Sequence, residues 1–362
     1  MLLIEGATIN ETIYKAFQAI QTHGAESPSR NGSVKQLFDT TFHINDPRSR
    51  HLNLEGRKSN IFQLIAETFW VMAGANAIDP YLSFFLPRAA NYSDDGETWH
   101  GAYGPRMYAY DQVADAIADF TEDGISTRRS TITISDLSED SKFAASEFYG
   151  EGHKLKDKPC NREIHFYVEN NKFCAKTIQR SGDMLFGAGS INPFEFSFLQ
   201  ELMYNEVKKT HPTLELGHYR WHVTNAHVYS DFYSQVEAVL ATSQPALGLV
   251  NTKELQAPGH EHWQNFFGSI LSIFSAMITT DDDKLKEVAD GYLNDLLDIL
   301  DHYNLKIIDN LMWDYIELIF AYIVAKKCPN VVVSKGTYLD SRSADLNSAI
   351  VYSTFRKFNI KG

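Results

Sequence analysis

Cys160 is the residue in this sequence whose neighbours best suit covalent chemistry. It stands just before REIHFYV, ENNK and FCAKTI, two alternating segments around a tight turn, and this pattern predicts a β-hairpin with Cys160 at its open end. Arg180 and Ser181 follow the second strand within QRSGD, so the hairpin should bring them beside Cys160. A guanidinium next to a thiol favours the nucleophilic thiolate, and Arg180 with Ser181 could also bind a phosphate. The segment predicts a nucleophile beside an anion site, although a single cysteine is more often a packing residue.

Glu67 is the second candidate for chemistry, because it interrupts an apolar helix. Residues 59–73, SNIFQLIAETFWVMA, have apolar side chains at helical spacing, and Ser59 is the predicted cap. Burial in that helix should raise the pKa of Glu67 toward the range that suits an acid or base. The alternative is a structural carboxylate held by hydrogen bonds.

The remaining patterns predict a mixture of strands and helices without a regular βαβ repeat, which is typical of an α+β domain. We expect an irregular loop over 80–106, a short helix over 111–120, a strand at STITIS, a helix over 195–209 and a strand over 218–229. From about residue 261 three successive helices are predicted. The expected division is therefore a catalytic domain over 1–250 and a helical extension over 261–362, joined through a connection before residue 261.

Composition limits the partners that such a protein could have. The chain has 362 residues and a net charge of −13, so its surface should repel nucleic acid. Its 3 cysteines include no CxxC pair, which argues against a disulfide scaffold and a thiolate zinc site. No secretory signal or bilayer-spanning segment is visible, and a cytoplasmic protein without a membrane partner is expected.

A metal enzyme is an alternative that the histidines raise. His218, His222 and His227 lie close together in the sequence, and the first two would share one face of a strand. No carboxylate or cysteine stands at ligand spacing beside them, so no metal is predicted.

Several motifs together carry a resemblance to a known family. They are PC-x-x-x-x-x-FYV, QRS-x-D, the helix with ETFW, the YG turn, the paired arginines and HVYS. In this order they resemble the thymidylate synthase and deoxycytidylate hydroxymethylase family over roughly residues 25–235. The resemblance implies a thymidylate synthase-like mixed sheet packed with helices, with the C-terminal helices as an addition.

The resemblance also implies the reaction and the residues that perform it. Cys160 would add to C6 of a pyrimidine nucleoside monophosphate, so that C5 captures the one-carbon unit of 5,10-methylenetetrahydrofolate. Tyr103 would lie near the reacting carbon and Glu67 would organise water and protons. Asp183 would contact the pterin. Further implied roles are base recognition for Asn192, with Glu195 close by; sugar binding for His227 and Tyr229; and phosphate binding for Arg30, Gln179, Arg180, Ser181, Arg128 and Arg129.

The arginine pair carries an implication for assembly. Arg128 and Arg129 resemble the arginines that the family donates across its subunit interface, so the active site would be complete only in a homodimer. The base remains open, because an amide at Asn192 suits uracil whereas a carboxylate at Glu195 would prefer cytosine. The segment GAGSINPFEF also carries one residue more than the family pattern.

Three departures from a synthase favour another product. Asn161 stands where synthases have histidine, Trp99 lies too near the YG turn to match the folate-holding tryptophan, and no closing tail is recognisable in FRKFNIKG. A synthase must exclude water until hydride is delivered, whereas a hydroxymethylase admits water. The sequence therefore predicts hydroxymethylation of dUMP, dCMP or CMP, with thymidylate synthase as the alternative and a non-catalytic nucleotide-binding relative as the third possibility.

Overall fold

The architecture is one mixed sheet packed with helices. A computed structural model describes residues 1–30, 32–242, 253–329 and residue 346. In these residues the strands are β1 (Leu2–Gly6), β2 (Ala25–Ser29), β3 (Gly32–Ile44), β4 (Thr131–Thr133), β5 (Asn161–Glu169), β6 (Lys172–Gln179), β7 (Gly182–Asp183) and β8 (Glu215–Tyr229). The strand order is β1-β3-β8-β6-β5-β4, with β2 beside β3 and β7 beside β8. Parallel and antiparallel pairs both occur, so the predicted α+β class is confirmed.

Twelve α-helices surround this sheet within the described residues. They are α1 (Ile9–His23), α2 (Ile61–Met72), α3 (Tyr81–Phe85), α4 (Tyr103–Tyr108), α5 (Gln112–Glu122), α6 (Leu137–Asp140), α7 (Lys142–Tyr149), α8 (Asn192–Thr210), α9 (Tyr233–Leu240), α10 (Trp263–Thr279), α11 (Asp282–His302) and α12 (Leu311–Lys327). Helix α8 packs on β6 and β8, and α2 packs on α8. None of these helices has the length and apolar character that crossing a bilayer requires.

The predicted hairpin is confirmed, and it positions Cys160. Strands β5 and β6 pair antiparallel around Asn170 and Asn171, whose φ angles of 52° and 60° lie in the left-handed region that asparagine tolerates. At the open end, the amide of Arg180 donates to the carbonyl of Cys160 at 3.0 Å. The turn chemistry therefore brings the ends of the two strands together, as the sequence indicated.

Two local predictions are wrong. Helix α2 is capped by Asn60, whose side chain accepts from the amide of Gln63 at 3.3 Å, and not by Ser59. The segment 80–106 is not an irregular loop throughout, because it contains α3 and the beginning of α4. The proline and glycine that suggested a loop, Gly104 and Pro105, lie in the first turn of α4, where a missing backbone donor costs little.

Other boundaries shift by a few residues. The strand expected at STITIS is limited to the three residues of β4, and α8 begins at Asn192 with Pro193 in its first turn. The short helix over 111–120, the long strand over 218–229 and the three C-terminal helices are confirmed.

The C-terminal helices pack directly on the helix that carries Glu67. Phe267 of α10 lies 5.5 Å from Phe69, and Tyr322 of α12 stacks on Phe62 at 4.4 Å between ring centroids. Helix α12 is buried from Leu311 to Ala325. The boundary expected near residue 250 falls in 243–252, and most of 330–362 also lies outside the described residues, so the division into two domains stays a prediction.

Candidate active site

A cavity of about 220 Å³ brings together six of the predicted site residues from five parts of the chain. Its lining includes Glu67 of α2, Tyr103 of α4, Cys160 and Ser181 at the hairpin ends, Asp183 of β7 and Asn192 of α8. Asp157 and Glu195 also line it. A thiol, several carboxyl groups, an amide and a phenol therefore face one space, which is a set suited to nucleophilic and acid–base chemistry.

The thiol of Cys160 is protonated in the free protein. Arg180 lies beside it, with Nε donating to the Pro159 carbonyl at 3.0 Å and Nη2 to the Lys158 carbonyl at 2.6 Å. Burial raises the pKa of Cys160 above its usual 9.0, and this effect exceeds the lowering by Arg180. The predicted effect of Arg180, which favours the thiolate, is present, but desolvation penalises the charged form more than this guanidinium favours it.

Two carboxyl groups share the inner part of the cavity. Burial raises the pKa of Glu67 to about 7, although Gln63 Nε2 donates to its Oε2 at 3.3 Å and lowers the pKa. Burial also raises the pKa of Glu195 well above its usual 4.5, and the charge of Glu67 raises it further. Burial and the charge of Glu67 therefore favour the protonated form of Glu195, while Glu67 changes its protonation state close to pH 7. The burial predicted for Glu67 and its consequence are both present.

The base-recognition candidates lie next to each other at the start of α8. Asn192 Nδ2 donates to Glu195 Oε2 at 3.4 Å, and both side chains are buried. The preceding residues Gly187–Ile191 form a π-helical turn. A π turn takes up one residue more than an α turn, so it accommodates the extra residue noted in GAGSINPFEF.

Aromatic side chains form one wall of the cavity. Tyr103 is half-buried beside Cys160 and Glu195, and desolvation followed by these charges raises the pKa of its hydroxyl well above 10.0. Trp99 and Trp70 also line the cavity, with ring centroids 5.7 Å apart. Trp99 donates from Nε1 to the Ala89 carbonyl at 2.8 Å, which fixes its ring. Trp99 therefore lies at the cavity, while its mismatch with the folate-holding tryptophan of synthases stays a prediction.

Asp183 and the sugar candidates occupy the strand edge beside the cavity. Asp183 Oδ1 accepts from the amide of Leu185 at 2.7 Å, yet burial raises the pKa of its carboxyl overall. In the β7–β8 pairing, Asp183 lies opposite His227. Tyr229 contacts His227 edge-on at 5.1 Å. His227 and Tyr229 thus adjoin Asp183 without lining the cavity itself.

The predicted phosphate residues are not all brought together. Ser181 lines the cavity, whereas Arg180 does not line it but adjoins Cys160 and has an exposed side chain. Arg30, Arg128 and Arg129 are exposed on other parts of the chain, and Arg129 lies near Asp119 and Asp123. Gln179 is fully buried below the cavity instead of facing solvent.

A cationic cavity that the sequence argument missed adjoins the first one. It has a volume of about 220 Å³, shares Glu67 and Ile191 with the first cavity, and includes Arg57 and Arg88 in its lining. Arg57 is 5% exposed and donates from Nη2 to the Leu185 carbonyl, but its Nε and Nη1 have no partner. Burial lowers the pKa of Arg57 to about 10, so it stays charged at pH 7. The only signal in the sequence was the basic pair RK before α2.

The histidine segment does not form an ion site around its predicted members. His218 accepts or donates at Nε2 with the Tyr167 hydroxyl at 2.9 Å, and its Nδ1 faces Cys174 Sγ at 3.5 Å. Glu169 lies 3.8 Å from Nε2, and Glu169, Cys174 and His218 each offer a ligand atom within 4.8 Å of the others. His222 contacts Thr41 and Asp39, away from His227.

Comparison with known proteins agrees with this geometry. Residues 12–265 match the family model described as thymidylate synthase. A deoxyuridylate hydroxymethyltransferase of Delftia phage PhiW-14 is 42% identical over 365 residues, which cover 99% of this chain and 98% of that protein. The deoxyuridylate hydroxymethyltransferase of Pseudomonas phage M6 is 28% identical over 75% of this chain and 77% of its own length. A thymidylate synthase of Corynebacterium aurimucosum is 25% identical over 65% of this chain and 84% of its own length.

The chain belongs to the thymidylate synthase family. The family predicted from the motifs around Cys160, Glu67 and Arg180 is thereby confirmed. The relative from Delftia phage PhiW-14 is also similar across the C-terminal helices, since the match extends over nearly the whole chain.

Proposed function

We propose that this protein is a one-carbon transferase that hydroxymethylates C5 of dUMP, with 5,10-methylenetetrahydrofolate as the donor. The observation that carries the proposal is the shared cavity of Cys160, Glu67, Tyr103 and Asn192 in a chain of this family. Relatives named deoxyuridylate hydroxymethyltransferase align over the larger part of the chain and favour this product over methylation.

The two adjoining cavities suit the folate donor. Asp183 and the indoles of Trp70 and Trp99 offer a polar contact and flat apolar surfaces for a pterin. The unpartnered Nε and Nη1 of Arg57 suit the carboxylate at the opposite end of such a molecule. When bound, the folate supplies a carbon at the oxidation level of formaldehyde.

Cys160 and Glu67 divide the covalent chemistry between them. Because the thiol is protonated in the free protein, attack of Sγ on C6 must be accompanied by loss of its proton. Glu67 lines the same cavity and has a pKa of about 7, so it is suited to accept and return protons near neutral pH. Tyr103 borders the reacting atoms, and its buried hydroxyl remains neutral and can donate a hydrogen bond.

The charge state of Glu195 supports uracil as the base. A cytosine amino group requires an acceptor, whereas the raised pKa of Glu195 favours its protonated form, whose hydroxyl can donate to a carbonyl such as O4 of uracil. Asn192 can accept from N3–H of uracil through Oδ1 while its Nδ2 is engaged by Glu195. The pair therefore favours dUMP over dCMP and CMP.

The phosphate and sugar contacts complete the proposed substrate site. Ser181 lines the cavity and Arg180 adjoins Cys160, and we assign the phosphate to these two residues and to Arg30. Arg128 and Arg129 are exposed and do not line their own cavity, which suits donation to the site of a second copy in a homodimer. His227 and Tyr229 are the proposed sugar contacts, beside Asp183.

The decisive experiment measures C5 chemistry and product mass together. The protein is incubated with [5-³H]dUMP and methylenetetrahydrofolate, and tritium release is followed by mass analysis of the nucleotide. We expect 5-hydroxymethyl-dUMP from the native chain and no tritium release from Cys160→Ala, which should still bind dUMP in calorimetry. Cys174→Ala is the matched control, since Cys174 is a buried thiol on the same hairpin outside the cavity.

Two other results would lead to different functions. A methyl product would identify a thymidylate synthase, which the tryptophans at the cavity make the second candidate. Binding of dUMP without any tritium release would identify a non-catalytic relative. Turnover by Cys160→Ala would refute the covalent mechanism.

A further inference from the structure

Two buried amide side chains lie opposite each other at the active-site end of the hairpin without hydrogen-bond partners. Asn161 begins β5, directly after Cys160, and its register partner on β6 is Gln179. Both side chains are 0% exposed. The atoms Nδ2 and Oδ1 of Asn161, and Nε2 and Oε1 of Gln179, all lack a hydrogen-bond partner.

Four buried polar atoms without hydrogen-bond partners at one place require a bound molecule that can hydrogen-bond to them. Register partners of an antiparallel pair project to the same face with Cβ atoms about 5 Å apart, so the two amides border one small space. Each buried unsatisfied group costs about 1–3 kcal/mol, and native proteins meet that cost with ordered water. The arrangement therefore calls for water between Asn161 and Gln179.

Each amide of this pair lies next to a residue that lines the reaction cavity. Asn161 lies close enough to the Tyr103 hydroxyl to lower its pKa, although the two make no hydrogen bond of normal geometry, and Tyr103 also faces Cys160. Gly182 lines the cavity, and a Cβ added there would lie 3.1 Å from Oε1 of Gln179. Gln179 therefore lies directly behind Gly182, where the cavity wall has no side chain.

We propose that Asn161 and Gln179 are positioning residues that hold the water molecule from which the hydroxyl group of the product is formed. This inference rests on the proposed function. Two amide oxygens can accept both hydrogens of one water, which leaves an oxygen lone pair directed toward the cavity. A neutral amide also cannot protonate that water, as a charged imidazole at the same position could.

The step balances without any oxidant or reductant. The oxygen of the held water forms a bond to the methylene carbon on C5 of the Cys160-bound nucleotide, and the C=C electron pair moves onto the C4 carbonyl. Collapse of that enolate re-forms the C5=C6 bond and expels the sulfur of Cys160. The proton lost by the water ends on this sulfur, which restores the thiol of the free protein.

The test uses Asn161→Leu and Gln179→Met, which keep side-chain size and remove the amide oxygens. In both variants we expect single-turnover tritium release from [5-³H]dUMP to continue while the hydroxymethyl product per tritium released falls about tenfold or more. Intact-protein mass should show the nucleotide accumulating on Cys160. Gln200→Leu is the matched control, because Gln200 is a buried amide that bonds backbone carbonyls outside the cavity; it should lower stability and leave the product ratio unchanged.

A crystal structure of the native chain with dUMP gives a readout independent of turnover. We expect an ordered water bonded to both amides, and its loss in Asn161→Leu. An Asn161–Gln179 hydrogen bond with no water between them, or an unchanged product ratio in both variants, would overturn the inference. Absence of tritium release from the native chain would instead overturn the proposed function, so the two failures are distinguishable.

Discussion

The buried carboxyl of Glu67 should make the protein less stable as pH rises, and Glu67→Gln should remove that loss. A pKa of about 7, against the usual 4.5, means that folding destabilises the charged form of Glu67 relative to its neutral form by about 3 kcal/mol. Because the folded-state pKa is raised, the folded protein binds a proton that the unfolded chain has released. The stability that this bound proton contributes is fully present below about pH 4.5 and is lost as pH rises through about 7.

The two pKa values of Glu67 also give the size of the expected stability loss. Between pH 5 and pH 8 the native chain should lose about 2 to 3 kcal/mol relative to Glu67→Gln. For a chain of 362 residues, an unfolding entropy of about 2.1 cal/mol/K per residue converts this into a change of about 3–4 °C in the difference between the two Tm values. The variant should also lose roughly 10²–10⁴-fold in kcat/KM, since it can no longer accept a proton.

The assay compares thermal unfolding of both proteins at the two pH values, so any effect of the substitution that does not depend on pH cancels. Glu206→Gln is the contrasting control: Glu206 accepts from Lys209 at 2.7 Å, and its removal should lower stability at pH 8 by up to ~1 kcal/mol. A Tm difference between native protein and Glu67→Gln that stays constant from pH 5 to pH 8 would refute the reasoning, because it would mean that Glu67 ionises as easily in the fold as in water.

Four further outcomes are expected. Asn192→Asp should lower kcat/KM for dUMP about 10–100-fold and improve the ratio of dCMP to dUMP turnover, measured with both nucleotides, because a carboxylate accepts from the cytosine amino group. Arg57→Met should raise KM for the folate about tenfold in steady-state kinetics and leave the dUMP Kd unchanged. Mixing inactive Cys160→Ala with inactive Arg128→Ala should restore activity, since a mixed dimer contains one complete site. Phe267→Ala should destabilise the protein by about 3–5 kcal/mol in denaturant unfolding, because Phe267 packs against the helix that carries Glu67.

A contrary result in each of these four experiments would refute the corresponding prediction. An unchanged nucleotide preference in Asn192→Asp would remove that residue from base recognition, and a changed dUMP Kd in Arg57→Met would place the second cavity on the nucleotide instead of the folate. Failure of the mixed proteins to recover activity, with dimers present in sedimentation, would argue against a shared site. A stability loss below 1 kcal/mol for Phe267→Ala would mean that the C-terminal helices are only loosely attached.

Local patterns in the sequence were sufficient for the hairpin and for the helix with Glu67. Alternating residues around ENNK specify two strands and a turn through short-range sterics, so the proximity of Cys160 and Arg180 followed from the chain itself. The apolar face of α2 and the burial of Glu67 followed in the same way from helical period. Helices α3 and α4 were missed, because proline and glycine were interpreted as loop residues, whereas Pro80 is the N-cap of α3 and Gly104 and Pro105 lie in the first turn of α4.

The protonation states of the site were decided by the tertiary structure. The sequence placed Arg180 beside Cys160, but only the packed fold shows that desolvation of the thiol exceeds the effect of that charge. The raised pKa of Glu195 likewise depends on its burial and on the charge of Glu67, which lies on another helix. Desolvation is a property of everything packed around a group, so no local pattern can report it.

The sequence by itself therefore determined the family, the fold class and the residues that could react, since these depend on motif order and local period. Only the tertiary structure brought Trp99 to the cavity and placed Arg57, with its unpartnered Nε and Nη1, in the adjoining cavity. It also put the amides of Asn161 and Gln179 opposite each other without partners. The physical reason is that contacts between residues far apart in the chain are set by how helices and strands pack. Their energetics depend on the water that this packing excludes.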